Sequence, residues 1–318
     1  MPTYIDESRC SREDRKQFFR DGQKMKFSVI IPAYNAASTL PGLLDSLANQ
    51  RYPNDFEVIV VDDCSTDSTT DICGRFGCRL TCCANNSGPA SCRNLGAARA
   101  TGEFLIFTDS DCIVSSDWLQ CFERAVALAD SDVIMGKLIL LPSTVMGEAI
   151  SALGFPAGGS LGFEKIWRVS ADGYTTSLSS CNFAIRRDIF FKLGGFDESF
   201  PYAGGEDSFL AHRLVEAGYR IRYRPEVIAY HPARKSFVEF LRWQFRRGIS
   251  SLIFASKVPR KNHYVSLRLW STKNVIKHNL RDRKFPLILL LLALSFAAQS
   301  GGFLFAKYKF RKARPCEC

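Results

Sequence analysis

Residues 58–69 read VIVVDDCSTDST and residues 103–111 read EFLIFTDSD, and these two stretches decide the fold. Each contains an uninterrupted apolar run that ends in closely spaced aspartates, Asp62-Asp63 in the first and Asp109-Ser110-Asp111 in the second. Apolar runs without polar alternation are typical of strands that are buried on both faces, as in parallel sheets. The pattern predicts two such strands with their aspartates just beyond the strand ends.

Working outward, the chain from Phe27 onward alternates short apolar runs with helical stretches. This alternation predicts an α/β fold with a mainly parallel sheet covered by helices. We expect strands at 27–32, 56–62, 79–83, 103–108 and 132–141, and helices at 40–49, 65–76, 90–100, 117–129 and 207–217. The stretch 154–180 is rich in loop residues.

The aspartates at the strand ends are the first functional signal. In open α/β sheets, ligands bind in the crevice at the carboxyl ends of the strands. A single acidic pair could belong to a turn, but two acidic clusters at one sheet edge are hard to explain by turns alone. Carboxylates that converge there suit a divalent cation, Mg²⁺ or Mn²⁺, that bridges a diphosphate.

Charge divides the chain into an acidic part and a basic part. Residues 1–219 hold 20 Lys/Arg and 28 Asp/Glu, whereas residues 220–284 hold 17 basic and 3 acidic residues. The first 26 residues form a charged lead-in, and residues 307–318 form a basic tail. A basic region of this kind attracts an anionic membrane surface, a polyanionic substrate or nucleic acid.

A candidate transmembrane helix covers residues 285–306, which run for 22 residues without a charge. A helix needs about 20 apolar residues to cross a bilayer. A buried core helix is the alternative, because Gln299-Ser300-Gly301-Gly302 weakens the second half.

Residues 234–284 are expected to form basic amphipathic helices that associate with a membrane. Between 236 and 254, one side of the helix would carry Phe237, Leu241, Phe245, Ile249 and Leu252. Such a stripe is typical of an interfacial helix. Packing of this helix against the catalytic domain is the alternative.

The twelve cysteines are scattered, and no apolar stretch near the N-terminus resembles a signal peptide. Both observations predict reduced cysteines and a chain that faces the cytosol.

Four motifs then carry a resemblance to a known family. They are SVIIPAYNAASTL (28–40), VIVVDDCSTDST (58–69), GPASCRNLGAARATGEFLIFTDSD (88–111) and GGFDESF…GGEDSFLAHRL (194–214). In this order and spacing they resemble glycosyltransferase family 2. The resemblance implies a GT-A fold, Rossmann-like with a mixed, mainly parallel sheet, and a catalytic domain at residues 27–233.

The resemblance also implies roles for particular residues. Asp63 would accept a hydrogen bond from the nucleotide base, which favours uracil-type donors, and Asp109 and Asp111 would form the DxD motif. The residues expected to bind the donor are Pro32, Tyr34, Asp63, Arg93, Asp109 and Asp111. For Arg93, a surface salt bridge is the alternative.

The metal ligands and the base follow from the same comparison. Asp111, Asp109 and His231 are expected to hold Mn²⁺ or Mg²⁺, although His231 could equally be a packed or capping residue. Asp207 would be the general base, although the Glu206-Asp207 pair could also complement a helix N-terminus. The residues expected on the acceptor side are Asn182, Gly205 and Glu206.

The predicted function is therefore an inverting, metal-assisted transfer of a sugar from a nucleotide-sugar donor, with UDP favoured, to a hydroxyl of a saccharide or glycolipid. The alternatives are a polyprenyl-phosphate acceptor, as in enzymes similar to dolichyl-phosphate mannose synthase, and a non-catalytic nucleotide-sugar-binding membrane protein. Membrane lipids are expected partners and nucleic acid is not, because the aromatic residues of the basic region are grouped with aliphatic ones. The catalytic domain would lie on the cytoplasmic side of the membrane.

Overall fold

A computed structural model of the chain describes residues 25–128, 131–258 and 262–312. Most of the charged lead-in and the end of the basic tail lie outside the described residues. The strands in the described part are β1 Phe27–Ala33, β2 Phe56–Asp62, β3 Arg79–Cys82, β4 Phe104–Thr108, β5 Ile113–Val114, β6 Val133–Leu140, β7 Tyr174–Thr175, β8 Asn182–Arg186 and β9 Ile221–His231.

Helices fill the connections and form the C-terminal part. They are α1 Leu40–Ala48, α2 Thr69–Phe76, α3 Pro89–Arg99, α4 Trp118–Ala127, α5 Val145–Ser151, α6 Phe163–Ile166, α7 Arg187–Lys192, α8 Glu206–Glu216, α9 Phe237–Lys257, α10 Asn262–Asn279 and α11 Phe285–Lys312. The predicted strands and helices agree with these bounds to within a few residues.

The strands form one mixed sheet in the order β3-β2-β1-β4-β8-β6-β9-β5, with β7 paired to β9. The pairs among β1, β2, β3 and β4 are parallel, as are β6 and β9, whereas β8 is antiparallel to both of its neighbours. The mainly parallel α/β sheet expected from the apolar runs is confirmed.

Both faces of the sheet are buried, which explains why the strands show no polar alternation. On β1, Val29 and Ile31 pack into one core cluster with residues of α1 and α4. Ile30 faces the opposite cluster, which includes residues of α3 and α8. The small residues of α3 allow close packing on this face, since a Cβ at Gly96 would lie 2.6 Å from the Ile30 side chain.

Helices α9 and α11 cross at very short distance. A Cβ at Gly248 would lie 2.0 Å from the Gln299 carbonyl oxygen. At the same crossing, Gln299 donates a hydrogen bond to Gln244 over 2.8 Å, and both side chains are buried. The two helices therefore pack along each other through glycine and amide side chains.

The buried stripe of α9 differs from the one that the sequence pattern indicated. Its buried residues are Phe240, Gln244, Gly248, Ser250 and Ile253. Phe237, from the predicted stripe, is 38% exposed. The reason is that α11 covers the face of α9 that carries Gln244 and Gly248. Because these two residues are not apolar, an apolar stripe in the sequence does not mark this face as buried.

Candidate active site

The loops after β1 and β2 are joined by side-chain to backbone hydrogen bonds. Asn35 accepts a hydrogen bond from the Thr66 N–H over 2.8 Å, and its own N–H donates to the Ser65 hydroxyl over 2.8 Å. Asn35 has a φ of 48°, a left-handed conformation that asparagine tolerates better than most residues. Ala37 also donates its N–H to Asp67. These contacts define one end of the crevice at the carboxyl edge of the sheet.

The predicted base-binding residues lie at this end. Tyr34 is 53% exposed and Pro32 is half-buried on β1. Asp63 is buried, and its two carboxylate oxygens accept backbone N–H groups from Ser87 and Gly88 over 2.6 and 2.9 Å. Asp63 therefore anchors the start of α3, and its contact with a nucleotide base stays a prediction.

Arg93 is the centre of the site rather than a surface residue. Its side chain is 2% exposed and lies between Asp109 and Glu206, at 2.7 and 3.1 Å. Helix α3 supplies the arginine, the end of β4 supplies Asp109 and the start of α8 supplies Glu206. The ion pairs thus join three sequence motifs through one guanidinium group.

Burial and charge oppose each other in this cluster. Burial alone would raise the pKa of Asp109, but the Arg93 charge and the Cys181 thiol, which donates to Asp109, hold that pKa below its usual range. Burial raises the pKa of Glu206 to about 7, with the neighbouring charge of Asp207 adding to the effect. Asp109 is therefore ionised at neutral pH, whereas Glu206 titrates near neutrality.

Asp111 and His231 face each other because of strand pairing. The short strand β5 follows Asp111 and pairs antiparallel with the end of β9, with Ile113 opposite Tyr230. The His231 Nε2 then lies 3.3 Å from an Asp111 carboxylate oxygen. Ligand atoms of Asp109 and His231 also lie within 4.8 Å of each other. The three residues that the sequence pattern assigned to a metal therefore come together.

The donor set of these three residues fits a divalent cation. The His231 Nδ1 lies 2.7 Å from the Pro232 carbonyl oxygen, so the Nδ1–H tautomer leaves the Nε2 lone pair directed towards Asp111. Burial raises the pKa of Asp111, so a proton competes with a cation for this carboxylate more strongly than at an exposed aspartate. Two carboxylates and one imidazole are suitable ligands for Mn²⁺ or Mg²⁺.

Asp207 lies in the first turn of α8, next to Glu206. Its Oδ1 accepts the N–H of Ser208 over 2.7 Å and the N–H of Gly205 over 3.3 Å. Its Oδ2 has no hydrogen-bond partner among the described residues. One carboxylate oxygen thus orients the group and leaves the other available to accept a proton.

The two glycines before α8 have backbone conformations that other residues rarely adopt. Gly205 has a φ of 122°, which L side chains rarely adopt, and a Cβ there would lie 3.0 Å from the Phe200 ring and from the Ser250 Cβ. Gly204 has a φ of 108°, and its N–H donates to Glu206 over 2.7 Å. The chain can therefore turn tightly into the helix that carries Asp207.

Two of the predicted acceptor residues do not reach the crevice. Asn182 is fully buried: its amide nitrogen donates to the Lys137 and Val227 carbonyls, and its oxygen accepts from the Trp118 indole. Glu206 is 1% exposed and is held by Arg93 and the Gly204 N–H. Asn182 therefore joins β8 to its neighbours and Glu206 orients Arg93, so neither placement supports direct contact with an acceptor.

The structure also adds contacts at the site that the sequence pattern did not indicate. The Cys181 thiol lies 3.1 Å from Asp109. Arg234 follows His231 by three residues, and the charge of Asp111 acts on it. Burial lowers the pKa of Arg247 to about 10, and the negative charge of Asp207 acts in the opposite direction. The position of Arg234 close to His231 in AYHPARKS (229–236) could have indicated that it lies near the site. The sequence of α9 contains no comparable indication for Arg247.

Comparison with known proteins identifies the family of the chain. The model of glycosyl transferase family 2 matches residues 28–194, and the N-terminal domain of galactosyltransferase matches residues 168–235. The chain belongs to glycosyl transferase family 2 and is a glycosyl transferase.

The sequence relatives include transferases from archaea and bacteria. Glycosyltransferase AglE of Haloferax volcanii is 29% identical over 238 residues, which cover 70% of this chain and 71% of AglE. The poly(ribitol-phosphate) beta-N-acetylglucosaminyltransferase TarS of Staphylococcus aureus is 40% identical over 120 residues, which cover 36% of this chain and 21% of TarS. This chain thus spans most of AglE but only about a fifth of TarS.

Solved structures support the fold. TarS 1–349 from S. aureus, in complex with UDP-GlcNAc, has a TM-score of 0.54 at 20% identity and covers 91% of this chain and 93% of that one. The mannosyltransferase PcManGT from Pyrobaculum calidifontis, in complex with GDP-Man and Mn²⁺, has a TM-score of 0.52 at 23% identity, with 92% and 82% covered. The GT-A fold is confirmed.

Proposed function

We propose that the chain is an inverting glycosyltransferase that moves a sugar from a UDP-linked donor to a hydroxyl group of a saccharide or glycolipid. The observation that carries this proposal is the bridge from Asp109 through Arg93 to Glu206. It holds Asp109 of the DxD motif at one end and Glu206, the chain neighbour of Asp207, at the other. A donor site and a general base are thereby built as one unit.

The chemistry follows from what glycosyl transfer needs. An acceptor hydroxyl is a weak nucleophile, and a carboxylate within hydrogen-bond reach takes its proton as it attacks. The free Oδ2 of Asp207 serves this purpose, and attack from the face opposite the leaving group inverts the anomeric centre. An anionic polyprenyl phosphate would need no such base, so Asp207 favours a hydroxyl acceptor.

Asp109, Asp111 and His231 would hold the divalent cation. When bound, the cation would offset the negative charge that develops on the leaving nucleoside diphosphate. Arg93 keeps Asp109 ionised and in position. The Pro232 carbonyl orients His231. Mn²⁺ in the PcManGT complex and the UDP-sugar in the TarS complex support this choice of cofactor and donor.

Calorimetric binding of UDP and a panel of nucleotide sugars, with Mn²⁺ and then with a chelator, tests the proposal. We expect UDP and one UDP-sugar to bind with Mn²⁺ and the affinity to fall when the metal is removed. Preferred binding of a GDP-sugar would overturn the assignment of uracil as the nucleotide base of the donor. Absence of binding by any nucleotide in the presence of Mn²⁺ would overturn the proposal itself.

We further propose that α11 attaches the enzyme to a membrane. It is the one helix in the described part of the chain that is long and apolar enough to span a bilayer. Its exposed positions recur every three or four residues along one face, and most are apolar: Leu289, Leu290, Ala293, Phe296, Ala297, Leu304 and Phe305. Its other face is occupied by α9 and α5.

The packing of α11 favours insertion parallel to the membrane surface over a full span. Gln299, in the middle of the apolar segment, is buried and bonded to Gln244 and Arg268. These partners belong to α9 and α10, which carry many basic residues. A basic region beside an inserted apolar face suits anionic lipid headgroups. The cysteines in the described residues are free thiols, which supports a location on the cytoplasmic side.

A further inference from the structure

A second pocket adjoins the proposed catalytic centre and carries three arginines. It encloses about 240 Å³ and is lined by Tyr202, Ala203, Arg234, Glu239, Arg242, Trp243 and Arg246. Tyr202 and Ala203 lie directly before the glycines that lead to Asp207, and Arg234 follows His231 by three residues. The pocket lining therefore includes the chain segments that lead to the proposed base, Asp207, and away from the proposed metal ligand, His231.

Two of the three arginines of this pocket are held by aromatic rings rather than by ion pairs with acidic side chains. The Arg246 guanidinium lies 4.7 Å from the Tyr202 ring centroid, and that of Arg234 lies 4.6 Å from the Trp243 ring. Trp243 is itself packed by Phe155, at 5.2 Å between ring centroids. Stacking of this kind orients a guanidinium group while its N–H donors stay available.

In the part of the chain that the structure describes, the arginines of the pocket lining outnumber its carboxylates. Arg234, Arg242 and Arg246 form no ion pair with any residue in the described part of the chain. Glu239 is the single carboxylate in the lining, so three positive charges face one negative charge. Arg242 and Arg246 are one helical turn apart on α9, and both are exposed. A planar guanidinium pair with free donors matches the geometry of a phosphate group.

We propose that this pocket binds a phosphate group of the acceptor, so that the sugar is transferred to a hydroxyl of a phosphate-bearing molecule. The proposal rests on the function proposed above, because it assigns the acceptor side of the same site. In the proposed function, the donor diphosphate binds at the metal site. Arg242 and Arg246 instead lie on α9, beside the segment that leads to Asp207. The phosphate can come from a soluble polyol phosphate or from a lipid-linked diphosphate at the membrane surface.

The test uses the full chain saturated with UDP and Mn²⁺, so that the donor diphosphate site is filled. Glycerol 3-phosphate probes a soluble phosphate source, and farnesyl diphosphate below its micellar concentration probes a lipid-linked one. Each is titrated calorimetrically into wild type and into the double variant Arg242→Gln/Arg246→Gln. The matched control is Arg281→Gln/Arg283→Gln, which removes two exposed charges from the same basic region.

We expect at least one probe to bind wild type and the control, and its affinity for the Arg242→Gln/Arg246→Gln variant to fall by about tenfold or more. Binding of glycerol 3-phosphate would identify a soluble source, and binding of farnesyl diphosphate alone would identify a lipid-linked one. UDP affinity should be equal in all three proteins.

Three outcomes would overturn the inference. In the first, neither probe binds to wild type. In the second, the double variant binds the probes as tightly as wild type does. In the third, the double variant loses UDP affinity, which would assign these arginines to the donor site. The first outcome leaves the transferase function standing as long as wild type binds UDP. Failure of wild type to bind UDP with Mn²⁺ would instead refute the proposed function.

Discussion

At the scale of single residues, one buried guanidinium group organises the site. Arg93 offsets the negative charges of Asp109 and Glu206, and it is packed on the Phe196 ring at 5.5 Å. Removing one member of a buried ion pair leaves an uncompensated charge, which is far more costly than the pair is stabilising. Arg93 therefore stabilises the fold and at the same time holds Asp109 and Glu206 in the proposed site.

Replacement of Arg93 by Met is predicted to lower the free energy of unfolding by about 3–5 kcal/mol, because the buried Glu206 and the partly buried Asp109 would lose their cation. Urea unfolding monitored by circular dichroism measures the change. Arg99→Met in the same helix is the control, since Arg99 forms no ion pair in the described part of the chain. An equal effect of both substitutions would show that Arg93 is not a buried charge centre.

Asp207→Asn is predicted to lower kcat by about 10²–10⁴-fold, because the amide cannot accept the proton of the acceptor hydroxyl. UDP affinity should be nearly unchanged, since Asp207 is not among the donor-side groups. The comparison variant is Asp111→Ala, which should instead weaken metal-dependent UDP binding. Equal loss of UDP affinity in both variants would contradict the role assigned to Asp207.

Residue positions could be predicted only where local pattern determines them. Asp109 and Asp111 are identifiable because they follow an apolar strand, and Asp207 because GGEDSFLAHRL (204–214) resembles a motif of the family. The burial of Asn182 could not be predicted, because its partners on β6, α4 and β9 come from distant parts of the chain. Its amide satisfies backbone groups of these elements, which a sequence pattern does not reveal.

At the scale of elements, the crossing of α9 and α11 depends on glycine. A Cβ at Gly302 would lie 1.9 Å from the Phe245 carbonyl oxygen, and the neighbouring Gly248 Cα is also close. Small residues at a helix crossing allow the two backbones to approach each other. Gly302 belongs to the apolar segment of α11, and there it allows close packing against α9.

Gly302→Ala is predicted to destabilise the protein by about 1–3 kcal/mol, because the new methyl group would force the two helices apart. Gly301→Ala is a matched control, since its Cβ would meet the Phe245 ring at 3.7 Å, an ordinary contact. The free energy of unfolding of this control should rise by about 0.5–1 kcal/mol, because alanine has a higher helix propensity than glycine. Thermal unfolding in detergent measures both; a Tm for Gly302→Ala at or above that of Gly301→Ala would contradict the crossing.

At the scale of the whole molecule, charge and exposed apolar surface are placed on the same C-terminal part. The apolar face of α11 is unpaired in the described structure, and the basic residues of α9 and α10 lie next to it. The mainly acidic catalytic part would then face away from an anionic bilayer. This arrangement would bring the arginine pocket on α9 to the membrane surface.

The chain is predicted to sediment with vesicles that contain anionic lipid, and less so at high salt. Leu290→Glu/Leu304→Glu should abolish this binding, since these side chains are 55% and 63% exposed on α11. Leu128→Glu/Phe191→Glu, at 60% and 43% exposure on the catalytic part, should bind as wild type does. Equal binding by both double variants would rule out α11 as the attachment surface. Resistance of the bound protein to alkaline extraction would favour a full span over in-plane insertion.

The sequence by itself determined strands β1 to β4 and β6 with the helices that follow them, the family, and the edge of the sheet where the acidic residues gather. It could do so because apolar runs and strand-terminal aspartates are local patterns, and parallel strands bring their carboxyl ends to one edge. Only the tertiary structure decided that Arg93 bridges Asp109 and Glu206, that His231 faces Asp111, and that α11 is half-covered by α9. These features depend on burial and on contacts between residues that are far apart in the chain, and burial decides which charges are paired and which stay free for a ligand.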